Sequence, residues 1–132
     1  MALTQVTTDI ISMSEAYTLI TSATGTVEHD YAESGVFFHS SISANFTANF
    51  TNVPAVDSAD GNAVSVVLIL EQGATAYLPT AVQIAGSAQT IKWANGAAPV
   101  PTSTAGKIDI FSFTFVRRSS TWTVFGSSNL GY

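Results

Sequence analysis

Apolar residues fall at every second position through much of this chain. In ISANFTANF, Ile42, Ala44, Phe46, Ala48 and Phe50 share one face, while Ser43, Asn45, Thr47 and Asn49 share the other. KIDIFSFTFV repeats the pattern, with Phe111, Phe113 and Phe115 on one side and Ser112 and Thr114 opposite. Successive side chains leave a strand in opposite directions, so this period describes strands with one buried face. A helix needs apolar spacings of three and four, and no helical pattern of useful length lies between the strands. The chain is expected to be all-β.

Turn chemistry divides the strands. Asp60-Gly61 sits in the turn cluster DSADGN, and Asn95-Gly96 closes QTIKWA. Gly35, Pro54, Gly73, Pro79 and Gly86 punctuate the rest, and Arg117-Arg118-Ser119-Ser120 precedes the last strand, TWTVFG. Short strands are expected near ATAYL and AVQIA. AVSVVLILEQ is apolar on both faces and predicts a central strand covered on two sides. About eight short strands with turns roughly every ten residues predict an antiparallel β-sandwich, jelly-roll-like in outline.

Residues 1–25 differ from the remainder. They are rich in Thr and Ser and carry Leu3, Val6, Ile10, Ile11, Tyr17, Leu19 and Ile20. β-branched residues favour extended chain there, and Ser12 or Ser14 would cap at most a short helix. The expected organisation is an N-terminal anchoring arm, 1–25, followed by a β-sandwich domain, 26–132. An apolar arm outside a compact domain needs a partner to cover it. The first residues lack a basic stretch followed by an apolar core, so no secretory signal is expected. No apolar run reaches the length of a membrane span, so no membrane insertion is expected.

Charged residues make up 10% of the chain and hydrophobic ones 46%, with a net charge of −5. That balance lacks the basic footprint of a nucleic-acid binder. It suits a protein that buries surface in an assembly, where charge is disfavoured. The absence of cysteine removes disulfides, thiolate zinc sites and thiol catalysis.

Catalysis needs convergent titratable groups. His29 and His39 lie on neighbouring strands and would face each other over a metal with Asp30 or Glu33, but the favoured reading is two ordinary strand residues. No GxSxG elbow supports a Ser-His-Asp triad. Among carboxylates, only Glu71 and Asp109 lie within strong strand runs, and a capping or surface role is favoured over a glycosidase pair. The run from Asp57 to Asn62 lacks the alternating ligands of a calcium loop. Asn45 and Asn49 both open glycosylation-type tripeptides on a face expected to meet solvent. Trp93 and Trp122 are expected in the core or a subunit interface, together with Phe46, Phe50, Phe111, Phe113 and Phe115, in preference to a sugar platform. No cofactor, metal or catalytic residue is expected.

The second half resembles the short β-rich modules of tailed-bacteriophage virion proteins, especially tail-fibre and related appendage proteins. The resemblance rests on VVLILEQG with its Gln-Gly corner, the loop LPTAV, IKWANGAAP, KIDIFSF and TWTVFG. It is densest over 66–126. Trp93, Gly96, Pro99 and Asp109 stand at the family's Trp-x-x-Gly-x-x-Pro corner and the start of its following strand. Arg117-Arg118-Ser119-Ser120 replaces the family's Gly-Gly or Asp-Gly hairpin. MALTQVTTDIIS resembles the Thr-rich starts of cyanophage-type fibre proteins. The resemblance implies a virion protein of fibre, appendage or capsid-decoration type, without catalytic residues. It implies a homotrimer, docked on other virion proteins such as capsid, tail or portal-proximal components, with host surface glycans as a further class of partner.

Overall fold

The computed structural model describes residues 15–55 and 61–132. Among the described residues ten strands follow one another, with a 3₁₀ turn at 94–96: β1 (Tyr17–Thr21), β2 (Gly25–Asp30), β3 (Val36–Ser40), β4 (Phe46–Thr51), β5 (Asn62–Glu71), β6 (Pro79–Ile84), β7 (Ser87–Gln89), β8 (Ile91–Trp93), β9 (Ile108–Arg118) and β10 (Thr121–Asn129). They form two sheets. The larger has the order β1-β3-β5-β9-β10-β8, and the smaller β2-β4-β6-β7. No described helix is long and apolar enough to cross a membrane.

From β1 to β6 the chain changes sheet after every strand. β1, β3 and β5 lie side by side in parallel, and so do β2, β4 and β6 in the other sheet. Each circuit through both sheets brings the chain back pointing the same way, so the opposite sheet supplies the crossover that parallel strands require. The later part folds as hairpins: β6 with β7, and β9 with β10, are antiparallel, and β9 also runs antiparallel to β5. Five of the eight pairings among the described residues are parallel. The expected antiparallel arrangement is corrected accordingly. Alternation of apolar and polar residues reports which face is buried, and it is the same for either strand direction.

The inward faces share one core. Phe37, Val64, Val66, Leu68, Leu70, Phe111, Phe113, Phe115 and Val124 come from the larger sheet, and Phe46, Ala48, Phe50, Val82 and Ile84 from the smaller. Phe50 joins the two, with its ring 5.0 Å from Phe115 and 6.3 Å from Phe113, both edge-on. Edge-to-face rings of this kind add to the free energy of burial. The expected core residues Phe46, Phe50, Phe111, Phe113 and Phe115 are all buried.

Three boundaries differ from expectation. Tyr17–Thr21 is an edge strand of the larger sheet, paired with β3, so this part of the expected arm belongs to the folded domain. Its β-branched and aromatic residues suit a pleated surface, and Ile20 turns inward against the core. Ile42 and Ala44 precede β4, which begins only at Phe46. ATAYL is loop, because the Gln72 side chain bridges both backbone groups of Tyr77 and bends the chain there. Leu3, Val6, Ile10 and Ile11 lie outside the described residues, as does Asp60 of the expected Asp-Gly turn. At the last turn, Ser119 and Ser120 both adopt positive φ, 49° and 60°. Two consecutive left-handed residues match the twist of a two-residue hairpin, so the serines do here what Asn-Gly does elsewhere.

Replacing Phe50 with Ala is expected to cost about 3–5 kcal/mol, because the ring is lost from the point where both sheets meet. Thr47→Ala, on the outward face of the same strand, is expected to cost below ~1 kcal/mol. Urea unfolding of both variants checks the assignment of inner and outer faces.

Candidate functional site

Three arrangements of side chains call for explanation: a histidine pair inside the core, a carboxylate that gathers loops, and an apolar surface outside the larger sheet.

His29 and His39 belong to different sheets and meet in the core. Their Nε2 atoms are 2.9 Å apart, and both residues are fully buried. Rings of Phe37, Phe46 and Phe50 surround them. His29 Nδ1 lies 3.0 Å from the Val27 carbonyl, which can only accept, so that nitrogen carries a proton. A neutral His29 then accepts at Nε2, and His39 donates from Nε2. The remaining nitrogen, His39 Nδ1, is a buried acceptor without a partner. Burial lowers His29 to about 4. Burial, reinforced by the neighbouring His29, lowers His39 to about 3. The pair is a neutral hydrogen-bonded rivet between the sheets. Asp30 is engaged by the Ala32 amide and the Asn52 side chain, not by either histidine. Among the described residues no group of three or more potential metal ligands comes together.

Asp109 is fully buried at the start of β9. Its carboxylate accepts from the Thr102 amide at 2.7 Å, the Thr102 hydroxyl at 2.7 Å, the Gly131 amide at 2.9 Å and Gln72 Nε2 at 3.1 Å. Gln72 in turn bonds the Tyr77 carbonyl and amide. One carboxylate therefore fixes the loop before β9, the C-terminal tail and the loop after β5. Each of these donors would be left unpaired if the carboxylate were removed. Asp109, expected in a capping or surface role, is buried and not on the surface, and its partner Gln72 was not foreseen. The Gln72-Gly73 corner and Asp109 near the start of β9 are two halves of one clasp.

Trp93 ends β8, an edge strand of the larger sheet. It is half-buried and packs on Phe113 and Phe111, with centroids 5.7 and 6.3 Å away. Gly126 lies across from it in β10, and a Cβ there would come within 2.8 Å of the indole. Asn95 and Gly96 turn the chain with φ of 63° and 78°. A recess of about 190 Å³ lies against Trp93, Asn95, Pro99 and Ser128. Trp122 is also half-buried, against the core, with the Arg117 guanidinium 5.5 Å from its ring centre. Both tryptophans therefore face inward. The glycosylation-type asparagines have structural tasks as well. Asn45 Oδ1 accepts from the Leu78 amide and Asn49 Oδ1 from the Gly86 amide.

The outward face of the larger sheet carries the third arrangement. Register aligns Tyr17, Val36, Val67, Ser112 and Ser127 in one row across β1, β3, β5, β9 and β10. A second row runs Leu19, Phe38, Ile69, Ile110 and Asn129. Tyr17 is 61% exposed and Leu19 57%. The Tyr17 ring lies 5.9 Å from that of Phe38. Val67 and Ile69 are the outer apolar residues of AVSVVLILEQ, and this single chain leaves them half-exposed. At the far side of the face, Phe125 is 47% exposed beside Lys92, Ser112, Thr114 and Ser127 in a groove of about 420 Å³. Of the expected anchor residues, Tyr17 and Leu19 thus belong to this surface and Ile20 to the core.

No family model, curated protein or solved structure matches this chain.

Two outcomes follow from the buried polar groups. The histidines are neutral when folded and titrate near 6.5 when unfolded, so their contribution is complete above pH 6.5. It is lost as pH falls from there through about 4 towards 3, by up to ~1.4 kcal/mol per pH unit for each histidine. Unfolding free energies from urea titrations between pH 7 and 4 should fall accordingly, and His39→Leu should reduce the slope. Asp109→Asn presents an amide to donors and is expected to destabilise by about 2–4 kcal/mol, with raised amide exchange at Thr102 and Gly131.

Proposed function

We propose that this chain is a non-enzymatic structural protein of a tailed-phage virion, a short fibre or appendage subunit or a capsid-decoration component. Its two sheets form a β-sandwich, and the segment before β1 docks it on the particle. The observation that carries this reading is the use to which the polar groups are put. Asp109, Gln72, His29, His39, Asn45 and Asn49 hold loops and sheets together, and the outward face of the larger sheet is largely apolar. Such a surface suits a subunit of an assembly. The resemblance of 66–126 to virion modules points the same way, and it favours a trimer. Gln72 and Asp109, two of the residues that carry that resemblance, are bonded to each other.

A second reading has one observation in its favour. The groove at Phe125 combines an exposed ring with the Ser112, Thr114 and Ser127 hydroxyls and the Lys92 ammonium. An aromatic face with hydroxyl partners and a cation suits an acidic sugar of a host surface glycan. Phe125→Ala would then abolish binding on a glycan array while leaving the fold intact.

The virion reading is tested on purified particles. Mass spectrometry should find the protein there, with many copies on the shell for decoration or a few at one vertex for a fibre. Because β1 starts at Tyr17, removal of residues 1–14 spares the sheet and tests the anchor alone. The truncated chain should fold and fail to incorporate. Full incorporation would exclude the anchor.

A further inference from the structure

The geometry points to the outward face of the larger sheet, from β1 to β9, as the surface on which a second copy of this chain docks. This deepens the virion reading by naming the contact through which the subunits associate.

Area is the first argument. The proposed face spans four strands, β1, β3, β5 and β9. At a spacing of roughly 4.8 Å and with about eight residues per strand, it measures roughly 500 Å². That is a large part of the ~800 Å² per partner of a standard interface, and it falls in the upper range of the largest patch a monomer exposes, which is often functional.

Charge is the second. The chain is acidic, with a net charge of −5, so two copies repel unless they meet where charge is absent. Both apolar rows, from Tyr17 to Ser127 and from Leu19 to Asn129, are uncharged. The described charged residues at this face, Glu15, Glu71, Lys92 and Arg118, stand at its perimeter, before or at strand ends or on the short edge strand β8. Glu28, Asp30 and Glu33 belong to β2 and the turn after it, in the opposite layer. Copies meeting through the outer face of the larger sheet keep those carboxylates apart. A basic partner would find nothing to recognise on this face.

The sheet edges are the third. An unpaired edge invites another strand unless it is short, charged or broken by proline. β2 carries Glu28 and Asp30, while β7 and β8 have three residues each. β1, YTLIT, has five residues without charge, glycine or proline. It is the unguarded edge, and its outward residues Tyr17 and Leu19 belong to the apolar rows. The surface therefore continues around the edge, as an interface with a copy would use it.

The chain lacks cysteine, so a single introduced thiol reports this contact without background. Leu19→Cys should be labelled by a maleimide more slowly as protein concentration rises, while Thr47→Cys in the other sheet should not change. Sedimentation of the unaltered chain should show an oligomer. Leu19→Glu and Ile69→Glu should each weaken it about tenfold or more, with circular dichroism unchanged. Thr47→Glu should leave it intact. A monomer at the highest soluble concentration, or an oligomer with Leu19→Cys fully reactive, overturns the inference. So does a monomer that associates only after removal of residues 1–14, since the chain's own N-terminus would then be the occupant. The virion reading fails separately. An oligomer of this geometry that is absent from particles keeps the interface and rejects the virion role. A monomer found in particles does the reverse.

Discussion

Neither sheet can be completed without the other, because the chain passes from one to the other after each strand from β1 to β6. Each new strand of one sheet needs the last strand of the other already in place. The corners are short, three residues between β1 and β2 and five between β2 and β3, so there is little slack in the path. The space between the layers must then be filled at once, and phenylalanine fills it. Phe50 reaches Phe113 and Phe115 in the opposite layer, and Phe37 reaches Phe50 from the other side. Folding is expected to be cooperative for this reason, with no stable single-sheet intermediate.

Buried polarity follows from the same path. Where β2 and β3 face each other, a histidine stands on each, and the pair satisfies all but one of its nitrogens internally. Two apolar residues of similar size would avoid that orphan, so the pair trades stability for a directional link between layers. The Asp109 clasp does the corresponding work at the end of the coil. Beyond β6 the chain no longer alternates between layers, and the loop of residues 94–107 and the tail need another means of fixation. One carboxylate with donors from three segments provides it.

How much of this was legible in the sequence varies with the kind of signal. The faces were legible, since a two-residue period marks them, and the rows Phe46/Phe50 and Phe111/Phe113/Phe115 are the core. Strand direction was not, because the period is blind to it. The corner residues 22–24 fall in the expected arm, yet they carry the chain from one sheet to the other. The histidines were legible as possible neighbours, but their lack of charge and their orphan nitrogen depend on the rings around them, which come from β3 and β4. Gln72 was legible only as a corner. Its role needs Asp109, thirty-seven residues away, and no local pattern carries such a pairing. Tyr17 and Leu19 were assigned to an arm because the Ser- and Thr-rich start lacks the long alternation of the later strands. Five residues of YTLIT are too few for the period to speak, and pairing with β3 decides the matter.

AVSVVLILEQ holds the clearest link between sequence and assembly. A strand apolar on both faces is expected where both faces are covered. β5 is central in its sheet, and its inner residues Val64, Val66, Leu68 and Leu70 are buried. Its outer residues Val67 and Ile69 are covered only in part by their neighbours on β3 and β9. A free monomer would gain solubility from polar residues at those two positions without any loss of core packing. Val and Ile at those positions, in line with Phe38 and Ile110, are what the proposed docking of a second copy would cover. On that proposal the described residues supply one of the two layers over β5, and the second copy supplies the other.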